Sequence, residues 1–296
     1  MRQFGKTASA VAWRRLSPWH VGGCALLAAL VAASAVRAET VRLGGTGAAI
    51  GTMQRLGEAY RKIDPEFRLE IVPNLGSSGG IKAVSSGAIQ IGVASRGLKS
   101  EESAAGLRAF EYGRTAFVLA TSKPGVQNLS LREVAEIYAG SRAQWSDGTP
   151  VRLVLRPPSD GDSALLAQFS SEVKAALAQA QAREGMVMAM TDQDTVDAIE
   201  RLAGGLGTAS MALLLSEQRR AQPLSIDGVA PTLVNVASGR YPYLKPMYAV
   251  LRHDAPQVAR KFVEFLGSEA GRKALAGLGH IAPGGGAAGP SPSGNR

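Results

Sequence analysis

One layout recurs along this 296-residue chain and restricts its fold more than any other feature: an apolar strand, a glycine- or serine-rich turn, then a helix with apolar residues at 3.6-residue spacing. Each helix of such a unit must bury its apolar stripe against a sheet, so alternating strands and helices build α/β layers. Val41-Arg42-Leu43 alternates as a strand, residues 44–51 form a glycine-rich turn, and Met53, Leu56, Tyr60 and Ile63 follow at helical spacing. Phe67, Leu69 and Ile71 alternate with Arg68 and Glu70 as a second strand, which runs into Gly76-Ser77-Ser78-Gly79-Gly80 and a helix carrying Ile81 and Val84. Ile91-Gly92-Val93-Ala94 reads as a third, buried strand that ends at Ser95-Arg96.

The second half repeats the theme. Residues 115–121 form a continuous apolar strand, and Ser130-Leu131-Arg132-Glu133 is a capping box opening a helix that stops at Gly140. Leu131, Val134, Ile137 and Tyr138 make its core face. A strand at residues 151–155 is followed by a polar turn over 156–163 and a helix with Leu165, Leu166, Phe169 and Val173. A turn and strand follow at 204–211, and an apolar strand at 247–251 matches 115–121 in character. These last two are expected to cross between two lobes. The C-terminal helix carries Val258, Phe262, Phe265 and Leu266, and a second helix leads to Leu278 and to His280, expected to pack on the C-terminal helix. No internal repeat of fixed short period is present. The Gly/Pro/Ser-rich tail after Pro283 has nothing to bury and is expected to be disordered.

Length and a 45% hydrophobic content suffice for two lobes. The first 38 residues hold Arg2, Lys6, Arg14 and Arg15, no acid, and the apolar run 21–36, the pattern of a secretory signal. Val36 and Ala38 supply the small residues a signal peptidase reads, so the mature chain is expected to start at Glu39. The run is short of the about 20 residues a membrane span needs, and no other of its length follows, so an exported, soluble protein is expected. Cys24 stands near the start of the apolar run, most of which follows it instead of preceding it, which argues against lipidation. Arg14-Arg15 sits in a context that matches a twin-arginine signal poorly, so general secretion is favoured and the export route stays open.

Removing the signal takes Arg2, Lys6, Arg14, Arg15 and Arg37 and no acid, and the formal charge falls from +9 to +4. No Lys/Arg run with interleaved aromatics occurs, which sets nucleic acid aside as a partner. The mature chain has no cysteine and two histidines, His253 and His280, which excludes thiol nucleophiles, disulfides and cysteine zinc sites.

Polar, glycine-rich loops that open helices present unpaired N–H groups and a partial positive charge to an anion. Each loop alone is an ordinary cap or turn; several converging on one cleft make an oxyanion site. A dinucleotide fingerprint fails because its third glycine position is Ile50, and no phosphate-loop Gly-Lys-Ser/Thr occurs. Serine hydrolysis lacks a G-x-S-x-G elbow, and Asp160 with Asp162 are too few ligands for a metal site.

The ordered set of motifs resembles the periplasmic phosphate-binding proteins of ABC importers over nearly the whole mature chain. Gly45-Thr46-Gly47-Ala48-Ala49-Ile50 looks like that family's first anion loop, and Gly76-Ser77-Ser78-Gly79-Gly80 is similar to its second, the most specific match. Ile91-Gly92-Val93-Ala94-Ser95-Arg96, the segment 128–140 followed by Trp145, and the stretches 224–232 and 237–242 resemble later family segments. The resemblance implies a type II periplasmic-binding fold, α/β, with two lobes joined by two crossover strands: residues 39–120 with 246–283, and 121–245. It implies no cofactor, no turnover, a monomer, a membrane ABC permease as partner, and a small oxyanion closed between the lobes, phosphate foremost.

Carried over position by position, the implied ligand contacts are the backbone of Ala49 and Ile50, the hydroxyls and N–H groups of Ser77 and Ser78 with Gly79, and Ser95. Arg156 takes the role of the anion-binding arginine, followed by Asp160, Gly161, Asp162 and Ser163. The chain departs from the pattern at three places. Arg96 stands where many members have an aspartate, Ser159-Asp160-Gly161-Asp162-Ser163 replaces Gly-Ser-Gly-Thr, and Ala49 replaces a threonine. Two carboxylates then line the site unless they turn away or pair with Arg96 or Arg156. A divergent member that senses, presents a surface to a partner or binds another small solute is the alternative.

Overall fold

The computed structural model describes residues 40–284. The expected signal segment 1–38, residue 39 and the tail from 285 lie outside them. The order of elements begins β1 (Thr40–Gly45), α1 (Gly47–Tyr60), β2 (Arg68–Val72), α2 (Gly76–Ser85), β3 (Ile91–Ala94), α3 (Ser100–Ala104) and β4 (Leu107–Thr121). It continues with β5 (Asn128–Leu129), α4 (Leu131–Ala139), β6 (Arg152–Leu155), α5 (Gly161–Leu166), α6 (Ser171–Ala182), β7 (Val187–Met188), α7 (Asp192–Arg201), β8 (Gly205–Ser210) and α8 (Met211–Ser216). It closes with β9 (Gln222–Pro223), β10 (Ser225–Ile226), α9 (Leu233–Ala237), β11 (Leu244–Arg252), α10 (Gln257–Gly267), α11 (Glu269–Gly277) and β12 (His280–Ile281). None of the described helices is long and apolar enough to cross a membrane.

The main sheet runs β2-β1-β3-β11-β4-β8-β6-β7. β1 lies parallel to β2 and β3, and β8 parallel to β6, as strand–helix–strand units require. β11 is antiparallel to β3 and to the first part of β4, up to Ala116 opposite Leu244. From Phe117 the same β4 pairs instead with β8. One long strand thus serves both lobes, and the chain returns beside it, where the Phe117 N–H donates to the Tyr243 carbonyl at 2.9 Å. The Tyr241 hydroxyl also donates to the Phe117 carbonyl at 2.9 Å. The expected crossover strands are these two, although β4 starts eight residues before Thr115, at Leu107. Pro246 has no N–H to give the ladder, and the β4–β11 register shifts just beyond it, between Met247 and Tyr248.

Alternation decides the cores. Val93 and Ala249 join Val41, Leu43, Met53, Leu56, Phe67 and Phe262 in one cluster, while their neighbours Ala94 and Val250 join Ile81, Val84 and Ile89 in another. Successive residues of a strand face opposite sides, so helices cover both faces of this half of the sheet. A third cluster fills the other lobe from Val118 and Leu119 to Val154, Ile199, Leu206 and Tyr241.

Both glycine-rich "turns" of the first lobe are shorter than the sequence suggests. α1 begins at Gly47 and α2 at Gly76, so most of each motif is helix. The glycines answer to packing: a Cβ on Gly45, at φ 151°, would meet the Val93 carbonyl oxygen at 1.9 Å, and one on Gly80 would meet Gly45 Cα at 2.7 Å. Without side chains there, the first turn of α2 sits directly on the end of β1. Ile63 lies beyond α1 and is exposed, and Phe169 lies between two helices, α5 and α6, where one was expected. His280 pairs in the sheet opposite Thr115 and packs against the Tyr112 ring, with its Nε2 3.2 Å from Thr52 Oγ1. Burial pushes its imidazole down to about 3, so it is a neutral core residue.

Candidate functional site

On the first lobe, the N-termini of α1 and α2 lack a side-chain cap: neither Thr46 nor Leu75 bonds the helix N–H groups behind it. At α2 this leaves the first-turn N–H groups, with the Ser77 and Ser78 hydroxyls, facing the cleft. Ser77 Oγ accepts from the Ser95 N–H at 3.0 Å and lies 3.2 Å from Ser95 Oγ, so the end of β3 is tied to the start of α2. Arg96 turns sideways. Its Nη1 and Nη2 donate to the two carboxylate oxygens of Glu102 at 2.8 Å each, and Nη2 also reaches Ser78 Oγ at 3.3 Å. The hydrogen bonds from Arg96 hold Glu102 down at about 2, so the pair is ionised through the neutral range.

The second lobe supplies charges. Arg156, 6% exposed at the end of β6, donates from Nε and Nη2 to Asp160 at 3.2 and 2.6 Å and from Nη1 to the Ala189 carbonyl at 3.2 Å. A guanidinium has five N–H groups, so one remains on each terminal nitrogen, a fork suited to two oxygens of a tetrahedral anion. Asp160 also caps α5 by accepting from the Asp162 N–H at 2.9 Å.

Asp162 turns inward to Lys245, whose Nζ lies 2.5 Å from Asp162 Oδ1 and 3.1 Å from Asp192 Oδ1. Lys245 is 1% exposed. Burial opposes its charge, but Asp162 and Asp192 outweigh burial and raise its pKa. The two carboxylates respond oppositely. Burial dominates at Asp162 and raises it; at Asp192, burial is overcome by Lys245, Arg156 and the backbone N–H of Ala48, and its pKa falls. The Asp192 carboxylate, carried by the first turn of α7, therefore takes up part of the positive end of α1. Gln193 beside it donates to the Gly47 carbonyl at 3.0 Å.

A cavity of about 340 Å³ lies between these walls, lined by Thr46, Leu75, Gly76, Ser77, Ser78, Gly79, Ser95, Arg96, Arg156, Ser159, Asp160, Gly161, Asp162 and Asp192. Nine of the residues singled out from sequence share it: Ser77, Ser78, Gly79, Ser95, Arg96, Arg156, Asp160, Gly161 and Asp162. The walls approach closely, since a Cβ on Gly161 would stand 4.0 Å from Ser95 Oγ. Three residues fall elsewhere. Ala49 is wholly buried in the first-lobe core, and its N–H donates to the Thr46 carbonyl at 3.1 Å. Ile50 lines an adjoining part of the cleft. The Ser163 hydroxyl turns away and donates to the Arg156 carbonyl at 3.1 Å.

Sequence reasoning missed Lys245 and Asp192. Lys245 is the only charged residue in the apolar stretch 241–251, a signal that it turns inward to a partner. Asp192 hides inside the capping box that Thr191 and Asp194 make for α7. Among the described residues, no three His, Cys, Asp or Glu side chains are arranged to hold a metal ion.

A PBP superfamily domain matches residues 30–270. The chain belongs to the PBP superfamily. Within it, the phosphate-binding protein PstS of Bacillus subtilis is 27% identical over 248 residues, 80% of this chain and 78% of that protein. A crystal structure from Clostridium perfringens, described as a phosphate ABC transporter substrate-binding protein with bound phosphate, superposes with a TM-score of 0.67 at 25% identity. The superposition covers 82% of this chain and 99% of that one. A periplasmic phosphate-binding protein, PfluDING, superposes with a TM-score of 0.64 at 15% identity over 82% of this chain and 90% of its own, a likeness of fold. The two-lobed α/β architecture with paired crossover strands is the fold this chain shares with those two solved structures.

Proposed function

We propose that this PBP superfamily protein is exported, captures a tetrahedral oxyanion, phosphate foremost, between its lobes, and presents the closed complex to a membrane ABC permease. The observation that carries the reading is the arginine fork. Arg156 is anchored by Asp160 and Ala189 with two N–H donors unspent, and it lines one cavity with the uncapped start of α2. The anion accepts from those two donors, from the Ser77 and Ser78 N–H groups, from the Ser78 hydroxyl, and from whichever of the paired Ser77 and Ser95 hydroxyls does not donate to the other. Asp160 acts as a brace that fixes the guanidinium plane, and Asp162 is neutralised by Lys245. Arg96, spent on Glu102, shapes the rim near Ser78. Binding is non-covalent, without a cofactor and without turnover.

In the same reading, residues 39–116 with 246–283 form one lobe and 117–245 the other, divided inside β4 where its partner changes from β11 to β8, and they close about β4 and β11. The bacterial relatives named for phosphate binding support phosphate as the first ligand to test. Isothermal titration of the purified protein with phosphate, sulfate, molybdate and a chloride blank at neutral pH is the test. Saturable heat with phosphate, weakened at least a hundredfold in Arg156→Ala, is expected. Absence of heat with all three oxyanions would overturn the reading.

A further inference from the structure

The cleft does not end at the oxyanion cavity. A second chamber of about 380 Å³ adjoins it and shares Leu75, Gly76, Arg156, Asp160 and Asp192 as common wall. A bare oxyanion of five heavy atoms needs about 100 Å³, the room of three or four waters at ~30 Å³ each. The first cavity already provides that, so the second chamber is room a bare anion does not use. Together they reach the size of sites that enclose a small organic ligand.

The chamber also has a chemical direction. Ile50, Pro73 and Met190 give it an apolar side, with Met190 67% exposed at the mouth. Its charged lining is Arg156 against Asp160, Asp192 and Glu217. Asp160 is spent on Arg156, and Asp192 on Lys245. Glu217 is the carboxylate short of a cation: it accepts from Gln193 at 2.8 Å, and its nearest guanidinium, Arg219, stands 3.8 Å off and is shared with Asp197 and Glu200. Burial, with Asp192 and Asp197 adding to it, pushes the Glu217 carboxyl up against the opposing pull of Gln193 and Arg219, the response of a partly buried acid whose cation stands off and is shared.

Resting on the oxyanion reading above, we propose that the cleft also takes an oxyanion carrying a short amine, an aminoalkyl phosphonate or phosphate ester, with its oxyanion on Arg156 and its ammonium against Glu217 in the second chamber. The methylene linker packs on Ile50 and Met190. The ammonium supplies the charge that the chamber lacks, which a bare dianion makes worse.

Titration with phosphate, ethylphosphonate and 2-aminoethylphosphonate tests this, because the last two differ only in the amine. The expected result is at least tenfold tighter binding of 2-aminoethylphosphonate than of ethylphosphonate, collapsing to within about twofold in Glu217→Gln, whose folding is checked by its melting temperature. Met190→Lys, at an exposed position, gives a second reading: its own ammonium enters the chamber and weakens 2-aminoethylphosphonate at least tenfold. Phosphate binding with no preference for the amine, or a preference that survives Glu217→Gln, overturns the inference and leaves the oxyanion reading standing. No binding of any of the three overturns both.

Discussion

The wall that α2 and β3 give the cleft is made of Ser77, Ser78 and Ser95 beside an uncapped helix start, whereas the opposite wall from β6, α5, α7 and β11 brings Arg156 and Lys245 against Asp160, Asp162 and Asp192. Hydroxyls and N–H groups remain well solvated in an open cleft and require no partner before ligand arrives. Buried charges cannot wait. A lysine at 1% exposure costs several kcal/mol unless its carboxylates are in place, so the second wall is pre-set by its own ion pairs. The difference separates two jobs: the serine wall meets the ligand, and the ionic wall keeps Arg156 aimed and the α1 start occupied.

That division is open to attack by substitution. The largest effect is expected at Lys245→Ala, which strands Asp162 and Asp192 in the interior and costs about 3–5 kcal/mol of stability, read from the urea midpoint. A loss under about 1 kcal/mol would mean that the ionic wall is not holding the fold. Next comes Ser77→Ala, which removes one donor to the anion and is expected to raise the phosphate Kd about tenfold with a small change in melting temperature. An unchanged Kd would take the serine wall out of the site. The smallest effect belongs to the rim. Glu102 is held below its ordinary range, so its pairing with Arg96 stabilises the fold above about pH 4.5 and fades as pH falls toward 2. Glu102→Gln should therefore cost about 0.5–1 kcal/mol at pH 7 and nothing near pH 2.

The serine wall was legible in the sequence because its signal is local. Gly76-Ser77-Ser78-Gly79-Gly80 precedes the periodic Ile81 and Val84, and the strand 91–94 delivers Ser95 beside it. What the letters do not display is that Gly45 and Gly80 serve a strand–helix contact, which moves the helix start into the motif and takes Ala49 into the core. The ionic wall was half legible. Arg156, Asp160 and Asp162 stand within seven residues of one another, and the expectation that a carboxylate there pairs with Arg156 holds for Asp160. The partner of Asp162 lies 83 positions away on β11, and Asp192 arrives on α7 through the fold of the second lobe. Such long-range pairing is set by sheet order, which no local pattern encodes.

The most direct test of the central claim, that the two walls enclose one oxyanion site, is a crystal structure of the protein soaked or grown with phosphate. The account predicts a tetrahedral density within hydrogen-bonding distance of Ser77, Ser95 and both terminal nitrogens of Arg156, with the Arg156–Asp160 and Lys245–Asp162 pairs intact. Phosphate bound elsewhere, or an Arg156 that must leave Asp160 to reach it, would contradict the account.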